Sequence, residues 1–300
     1  MLSPQVANAD VPATSDAPGA SSPAPQKPVR HILSLSGGKD SSALAVYMRD
    51  RVPEMEYVFC DTSKELAETY DYLDKLEAYL GRPIIRLKQD ADAFDRLLQI
   101  RRGFLPSPRM RWCTELLKIK PFEKYIGNDE VVHYVGIRAD ENRKGYETTK
   151  PNITARYPFK EDGIGKEDVK RILEDSGLGF PDYYQWRSRS GCYFCFFQQK
   201  IEWVGLLERH PDLYDAAQNY EKTDEETGER YTWVARESLA ELRRPERVAQ
   251  IKEETARRLA REHEERRRFA GKQFKANLTL AEMIADDDED GERACLICEL

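Results

Sequence analysis

The chain has no apolar run of membrane-span length, which argues against helical membrane segments. It also lacks the basic start and apolar centre of a secretory leader. Residues 1–29 are instead rich in Ala, Pro and Ser and carry acidic Asp10 and Asp16, a composition that reads as a disordered tail unable to bury enough surface to order itself. There is no excess of positive charge. At a net −7 the chain offers nucleic acid no global attraction, so such a partner would have to be held by local arginine patches. No internal repeat is present. These absences point to the cytoplasm, where six cysteines suit metal binding or catalysis better than disulfides.

What is present begins with a core-sized stock of apolar residues, 40% of 300 positions, and a charged third that suggests long solvated helices. Ile32, Leu33 and Leu35 form a short apolar strand, followed by Ser36-Gly37-Gly38-Lys39-Asp40-Ser41-Ser42 and then a helix start running to Met48. Strand, glycine turn and helix N-terminus together make a nest of backbone N–H groups that favours a phosphate chain. Lys39 adds a mobile cation, and Ser36, Ser41 and Ser42 add hydroxyls. This is not a Walker A loop, because Leu33 and Asp40 stand where that motif needs Gly and Ser or Thr.

Apolar runs at 56–60, 83–87 and 131–136 alternate with helical patterns at 66–80, 93–101 and 114–126, and Gly81 ends the first of these. The alternation predicts an α/β fold, a parallel sheet wound by crossover helices, with ligands beyond the carboxyl ends of the strands. The Ser36 loop and the turn Cys60-Asp61-Thr62 then lie side by side, holding phosphate and nucleoside respectively. The end of the 131–136 strand, Gly136-Ile137-Arg138, reaches the same edge, whereas His133 inside that strand reads as a packed core residue. Arg101, Arg102, Arg109 and Arg111 form a basic loop suited to anion capture, and Cys113 closes it at a helix start, where the dipole favours a thiolate.

Gly191-Cys192-Tyr-Phe-Cys195 places two thiols at metal-chelating spacing, shielded by aromatics, with Cys113 free to contribute. Residues 201–210 and 213–220 are expected as helices packing on the sheet. Residues 239–269 are expected as a charged helix or helix pair interrupted at Pro245. After the acidic run at 286–290, Cys295-Leu-Ile-Cys298 ends the chain in a form that can fold back onto a site. The expected organisation is a tail at 1–29, a nucleotide-binding α/β domain with cysteines at 30–200, a helical extension at 201–285 and an acidic Cys-x-x-Cys tail at 286–300.

From His31 to Phe197 these motifs resemble, in order, the phosphoadenosine phosphosulfate reductase family in its broad sense. The loop Ser36-Gly37-Gly38-Lys39-Asp40-Ser41 is similar to the pyrophosphate loop (PP-loop) of the adenine nucleotide α-hydrolase class. Asp61-Thr62 with Glu68-Thr69 is similar to the family's Asp-Thr-Gly…Glu-Thr. Arg111 to Pro121 resembles its Cys-x-x-x-Lys-x-x-Pro segment, Gly136-Ile137-Arg138 with Glu141 its Gly-x-Arg-x-x-Glu, and Gly191-Cys192-x-x-Cys195 the Gly-Cys-x-x-Cys of iron–sulfur members. The resemblance implies a Rossmann-like parallel sheet of the α-hydrolase (HUP) type with a C-terminal helical region.

Because Lys39-Asp40-Ser41 are kept, as in ATP-splitting members such as tRNA thiolases and the ATP pyrophosphatases of DNA phosphorothioation, the resemblance implies adenylylation of an acceptor for sulfur transfer. ATP would be held by Ser36, Gly37, Gly38, Lys39, Ser41, Ser42, Asp61, Thr62, Gly136 and Arg138. Asp40 would hold Mg²⁺ and Arg138 would clamp a phosphate. A [4Fe–4S] cluster, rather than Zn²⁺, would sit on Cys113, Cys192, Cys195 and a fourth ligand, which is Cys295 or Cys298 of the tail, a non-cysteine group, or a position left open for sulfide; Trp112 stands where cluster-bearing reductases have a further cysteine. The implied partners are a DNA or tRNA acceptor or a sulfur donor such as a cysteine desulfurase. The same resemblance leaves two other readings. One is sulfonucleotide reduction, with a tail thiol such as Cys298 attacking sulfur. The other is a non-catalytic nucleotide- and metal-binding module.

Overall fold

The computed structural model describes residues 28–142, 150–223 and 228–270, with side chains as far as residue 264. The expected tails at 1–29 and 286–300, with Cys295 and Cys298, lie almost wholly outside these residues.

Five strands, β1 (Arg30–Leu35), β2 (Glu56–Phe59), β3 (Ile84–Arg86), β4 (Val131–Tyr134) and β5 (Ile153–Arg156), form one sheet in the order β3-β2-β1-β4-β5. Every pairing in it is parallel. The crossovers are α1 (Lys39–Met48), α2 (Ala67–Leu80), α3 (Ala93–Ile100), and the run α4 (Trp112–Thr114), a π turn (Glu115–Ile119) and α5 (Lys120–Ile126). After β5 come α6 (Pro158–Glu161) and α7 (Lys166–Asp175), then a 3₁₀ turn at Asp182–Gln185. Strand order reverses at β1, so the crevice between the ends of β1 and β4 is the topological switch point at which such sheets bind ligands.

Alternation along the strands divides the core. Leu33, Leu35, Tyr57 and Phe59 face α1, α2 and α7, while Ile32, Val58 and Val131 face Phe122 and Ile126 of α5. Gly81 ends α2 in the left-handed conformation (φ 64°), its N–H donating to the Glu77 carbonyl. The strand β5 was not expected. It is a four-residue edge with only Ile153 buried, too short for a sequence periodicity.

The C-terminal helices α8 (Lys200–Arg209), α9 (Pro211–Gln218), α10 (Leu239–Leu242) and α11 (Pro245–Ala270) fall near their expected positions, with the short ribbon β6 (Lys222–Thr223) and β7 (Arg230–Tyr231) between them. Their packing corrects the expectation that they lean on the sheet. Trp203, Leu206, Tyr214, Trp233 and Leu239 join Phe94, Trp112, Tyr183 and Phe194 in a second core. This second core, not the sheet, carries the Cys192–Cys195 turn. Among the described residues no helix is long and apolar enough to cross a membrane.

His133 is fully buried, shares a hydrogen bond with Ser34 Oγ (2.8 Å), and is pushed by burial down to about 3. An unfolded histidine titrates near 6.5, so the native state must stay neutral while the unfolded state gains a proton. His133 therefore contributes stability that is present above pH ~6.5 and lost as pH falls towards 3, by about 1.4 kcal/mol per pH unit. Urea unfolding between pH 7 and 5 is expected to show this slope, and His133→Gln to remove it. Equal slopes in the two proteins would contradict the assignment.

Candidate active site

The loop after β1 turns at Gly37, whose φ of 73° and close approach to Thr69 leave no room for a side chain: a Cβ would lie 2.6 Å from Thr69 Cγ2. Its polar groups bind one another. Ser36 N–H donates to Ser41 Oγ (3.1 Å), Gly38 N–H to Ser36 Oγ (3.3 Å), and Ser41 Oγ to the Gly38 carbonyl (3.3 Å). Across the switch crevice, Gly136 packs directly on this loop. A Cβ there would stand 3.1 Å from the backbone of Asp40 and Ser41, atoms that cannot yield without moving α1. The expected convergence of the β1 and β4 ends is thus present.

A feature not expected is the cover on this loop. Tyr184 Oη accepts from Lys39 N–H (3.1 Å), Tyr183 Oη donates to the Gly37 carbonyl (2.7 Å), and Ser190 Oγ donates to Ser36 Oγ (3.1 Å). Lys39, expected as a mobile cation, is buried with its ammonium 5.2 Å from the centre of the Tyr184 ring. The amide at the start of α1 therefore holds a tyrosine hydroxyl where a phosphate oxygen would bind. Tyr184→Phe would leave that N–H without this acceptor in the unliganded protein, a cost of roughly 1–3 kcal/mol that an incoming phosphate relieves. ATP binding measured by calorimetry is expected to tighten several-fold in this variant; weaker binding would contradict the stand-in role.

Arg138 is buried among three carboxylates: Asp40 (3.0 Å), Asp140 (3.0 Å) and Glu141 (3.6 Å). Burial would lower its pKa, but Asp40 and Glu141 outweigh this and raise it, so it is a permanent cation. Without a ligand its guanidinium grips Asp40 and fixes that carboxylate beside the loop. Ser42 is fully buried at the base of α1.

At the end of β2, Asp61 accepts from Ser63 N–H (2.8 Å) and Tyr70 Oη (2.7 Å), and Thr62 Oγ1 donates to Glu65 (2.7 Å). Burial raises the Glu65 pKa against the pull of Lys118. Thr62 also lines a cavity with Cys113, Lys118, Cys192 and Cys195. Cys113, Cys192 and Cys195 are therefore brought to one cavity, which Thr62 shares. Cys60 is not among the lining residues; its thiol donates to the Lys118 carbonyl (3.6 Å) and is pushed by burial up to about 11. Cys113 and Lys118 are separated by four residues, one more than the family segment they resemble, and the π turn Glu115–Ile119 overlaps that interval. A π turn takes up one extra residue, and such turns are frequent at functional sites.

Cys192 donates to Cys195, which lowers the Cys195 pKa against its burial, with Arg187 and Arg189 assisting; Cys192 is raised in turn. Arg187 is completely buried and donates to the carbonyls of Gly191 (3.1 Å) and Cys192 (2.9 Å), while its Nε has no acceptor. Among the described residues it makes no ion pair. A buried guanidinium without a carboxylate is costly, and the Cys195 thiol is an acidic group that feels its charge. Among the described residues no three His, Cys, Asp or Glu side chains stand close enough to enclose one metal ion. Three thiols around one apolar cavity are donors of the kind that hold zinc or an iron–sulfur cluster. The cavity of about 30 Å³ has space for only a water or two, so a cluster requires its walls to part.

Comparison with known proteins accords with this geometry. An uncharacterised protein of Methanocaldococcus jannaschii is 32% identical over 207 residues, covering 65% of this chain and 41% of that protein. The tRNA-specific 2-thiouridylase MnmA of Pediococcus pentosaceus is 25% identical over 204 residues, 57% of this chain and 52% of that enzyme. The chain thus spans about half or less of these relatives. A phosphoadenylyl-sulfate reductase crystal structure from Candida auris covers 55% of this chain and is itself covered to 82%, with 15% identity and a TM-score of 0.43. The model of the phosphoadenosine phosphosulfate reductase domain matches residues 30–159, from β1 through the loop, the β2 turn and Cys113 to the start of α6. Over residues 30–159 this chain is therefore similar to the phosphoadenosine phosphosulfate reductase domain.

Proposed function

We propose that this chain is an ATP pyrophosphatase that adenylylates an acceptor, so that sulfur from the cysteine-lined cavity can replace an oxygen. One observation carries the reading. Lys39, Asp40 and Ser41 lie at the switch crevice, and a single segment, Tyr183 to Cys195, spans from the loop to the thiols. A family relative named as a tRNA thiouridylase supports sulfur transfer as the purpose.

In the proposed reaction the acceptor oxygen attacks the α-phosphorus of ATP and the α–β bridging P–O bond breaks. Pyrophosphate leaves, and the acceptor carries AMP. The backbone N–H of Lys39, released from Tyr184, and the Lys39 ammonium stabilise charge developing on the leaving group. Asp40, fixed by Arg138, would hold Mg²⁺, which when bound neutralises phosphate oxygens. Sulfide then displaces AMP, the acceptor–S bond forming as the acceptor–O bond breaks and AMP leaves with that oxygen; where a donor protein such as a cysteine desulfurase supplies a persulfide, its outer sulfur attacks in the same way and a second thiol cleaves the resulting disulfide. Cys113, Cys192 and Cys195 would hold an iron–sulfur cluster, which when bound would present that sulfur. Arg187 offsets the negative charge of the thiolates. A nucleic-acid acceptor, DNA or tRNA, fits the arginine-rich loop at 101–111.

Phosphorus NMR of an anaerobic incubation with ATP is expected to show pyrophosphate and AMP. The family description favours a second reading, sulfonucleotide reduction, which would instead release sulfite from adenylyl sulfate without consuming ATP.

A further inference from the structure

The short turn α4 separates two cavities, and Thr114 lines both. One is the thiol cavity. The other, about 440 Å³, is walled by Arg101, Met110, Arg111, Trp112, Glu115 and Ile119. Its size falls within the roughly 300–1,000 Å³ of small-molecule sites and exceeds what a lone inorganic anion needs.

The chemistry of the walls is two-sided. Arg101 lies over the Trp112 ring (5.5 Å) and makes no ion pair among the described residues. A guanidinium held by its face keeps its in-plane N–H fork for a phosphate or carboxylate. Arg111 lies over Phe197 (5.0 Å), and its Nε donates to the Pro108 carbonyl (3.2 Å). It adds a second fixed positive charge. Glu115 pairs with Lys120 (3.2 Å), which offsets its charge and leaves the cavity positive. Met110, 46% exposed, and Ile119 supply an apolar wall. Two cations and apolar side chains in one cavity match an anion joined to a flat apolar body.

We propose that this cavity receives one phosphate-bearing nucleotide unit of the sulfur acceptor, its phosphate on Arg101 and Arg111 and its base against Met110 and Ile119. The acceptor role rests on the sulfur-transfer reading above; the binding chemistry does not. Occupancy here places the acceptor across Thr114 from the cavity that Cys113 lines.

The test is equilibrium binding of fluorescein-labelled single-stranded eight-nucleotide RNA and DNA to the full chain at two salt concentrations, with AMP and inorganic phosphate as competitors. Wild-type protein is expected to bind at least one strand, and Arg101→Gln/Arg111→Gln to lose tenfold or more and to show a flatter salt dependence. Met110→Glu, at an exposed position, is expected to give a similar loss by placing like charge in the cavity, which covers the case in which the double variant fails to fold. Competition by AMP at matching nucleotide concentration would identify a free nucleotide as the occupant; resistance to AMP would identify a strand. No binding of strand or AMP, or undiminished binding by both variants, would overturn the inference. Pyrophosphate release measured in the same preparations separates the two readings. Release without strand or AMP binding sinks only this site, and arginine-dependent binding without release sinks only the ATP reading.

Discussion

Lys39→Ala is expected to lower the release of AMP and pyrophosphate about 100- to 1,000-fold, the usual loss when a charge-stabilising group is removed at a transition state. Lys39 stands at the first residue of α1, buried beside Tyr184, so no neighbouring lysine can substitute for it. Asp40→Asn is expected to give a comparable loss while the protein stays folded. Breaking a buried ion pair can cost several kcal/mol, but Arg138 keeps Asp140 and Glu141 as partners. Product analysis of both variants, with circular dichroism to verify folding, is the check. Retention of wild-type rates by either would remove the loop from the chemistry.

Cys192→Ser and Cys195→Ser are expected to abolish sulfur incorporation and to reduce bound iron and sulfide, while AMP continues to form. The reason lies in Arg187. It holds the turn by the carbonyls of Gly191 and Cys192, so losing a thiol leaves the backbone anchored and the Tyr184 and Ser190 contacts to the loop in place. Iron and sulfide analysis with mass spectrometry of the acceptor tests this. A variant that still thiolates, or one that loses ATP cleavage to the same degree, would show that the thiols do something else.

Much of the nucleotide end was legible in the chain. A buried strand, two glycines and a polar helix start leave few other geometries, and strand–helix alternation sets the parallel order that brings Gly136 to Asp40. The cover over the loop was not legible, because Tyr183 and Tyr184 lie some 145 residues from their partners and aromatics ahead of a Cys-x-x-Cys suggest only shielding. The surroundings of Arg138 were hidden for a related reason: an arginine at a ligand edge suits phosphate, and only the fold shows that Asp40, Asp140 and Glu141 surround it. Glu65 could have been noticed as an acid beside Asp61-Thr62. The helices after residue 200 show that amphipathicity reveals that a face is buried, not which core it joins.

The most direct test of the central claim is the fate of α-labelled ATP in an anaerobic incubation of the wild-type protein with acceptor and a sulfide source. Label in AMP, with pyrophosphate released in equal amount, is the expected result. Label in ADP, or sulfite freed from adenylyl sulfate with ATP untouched, would contradict it.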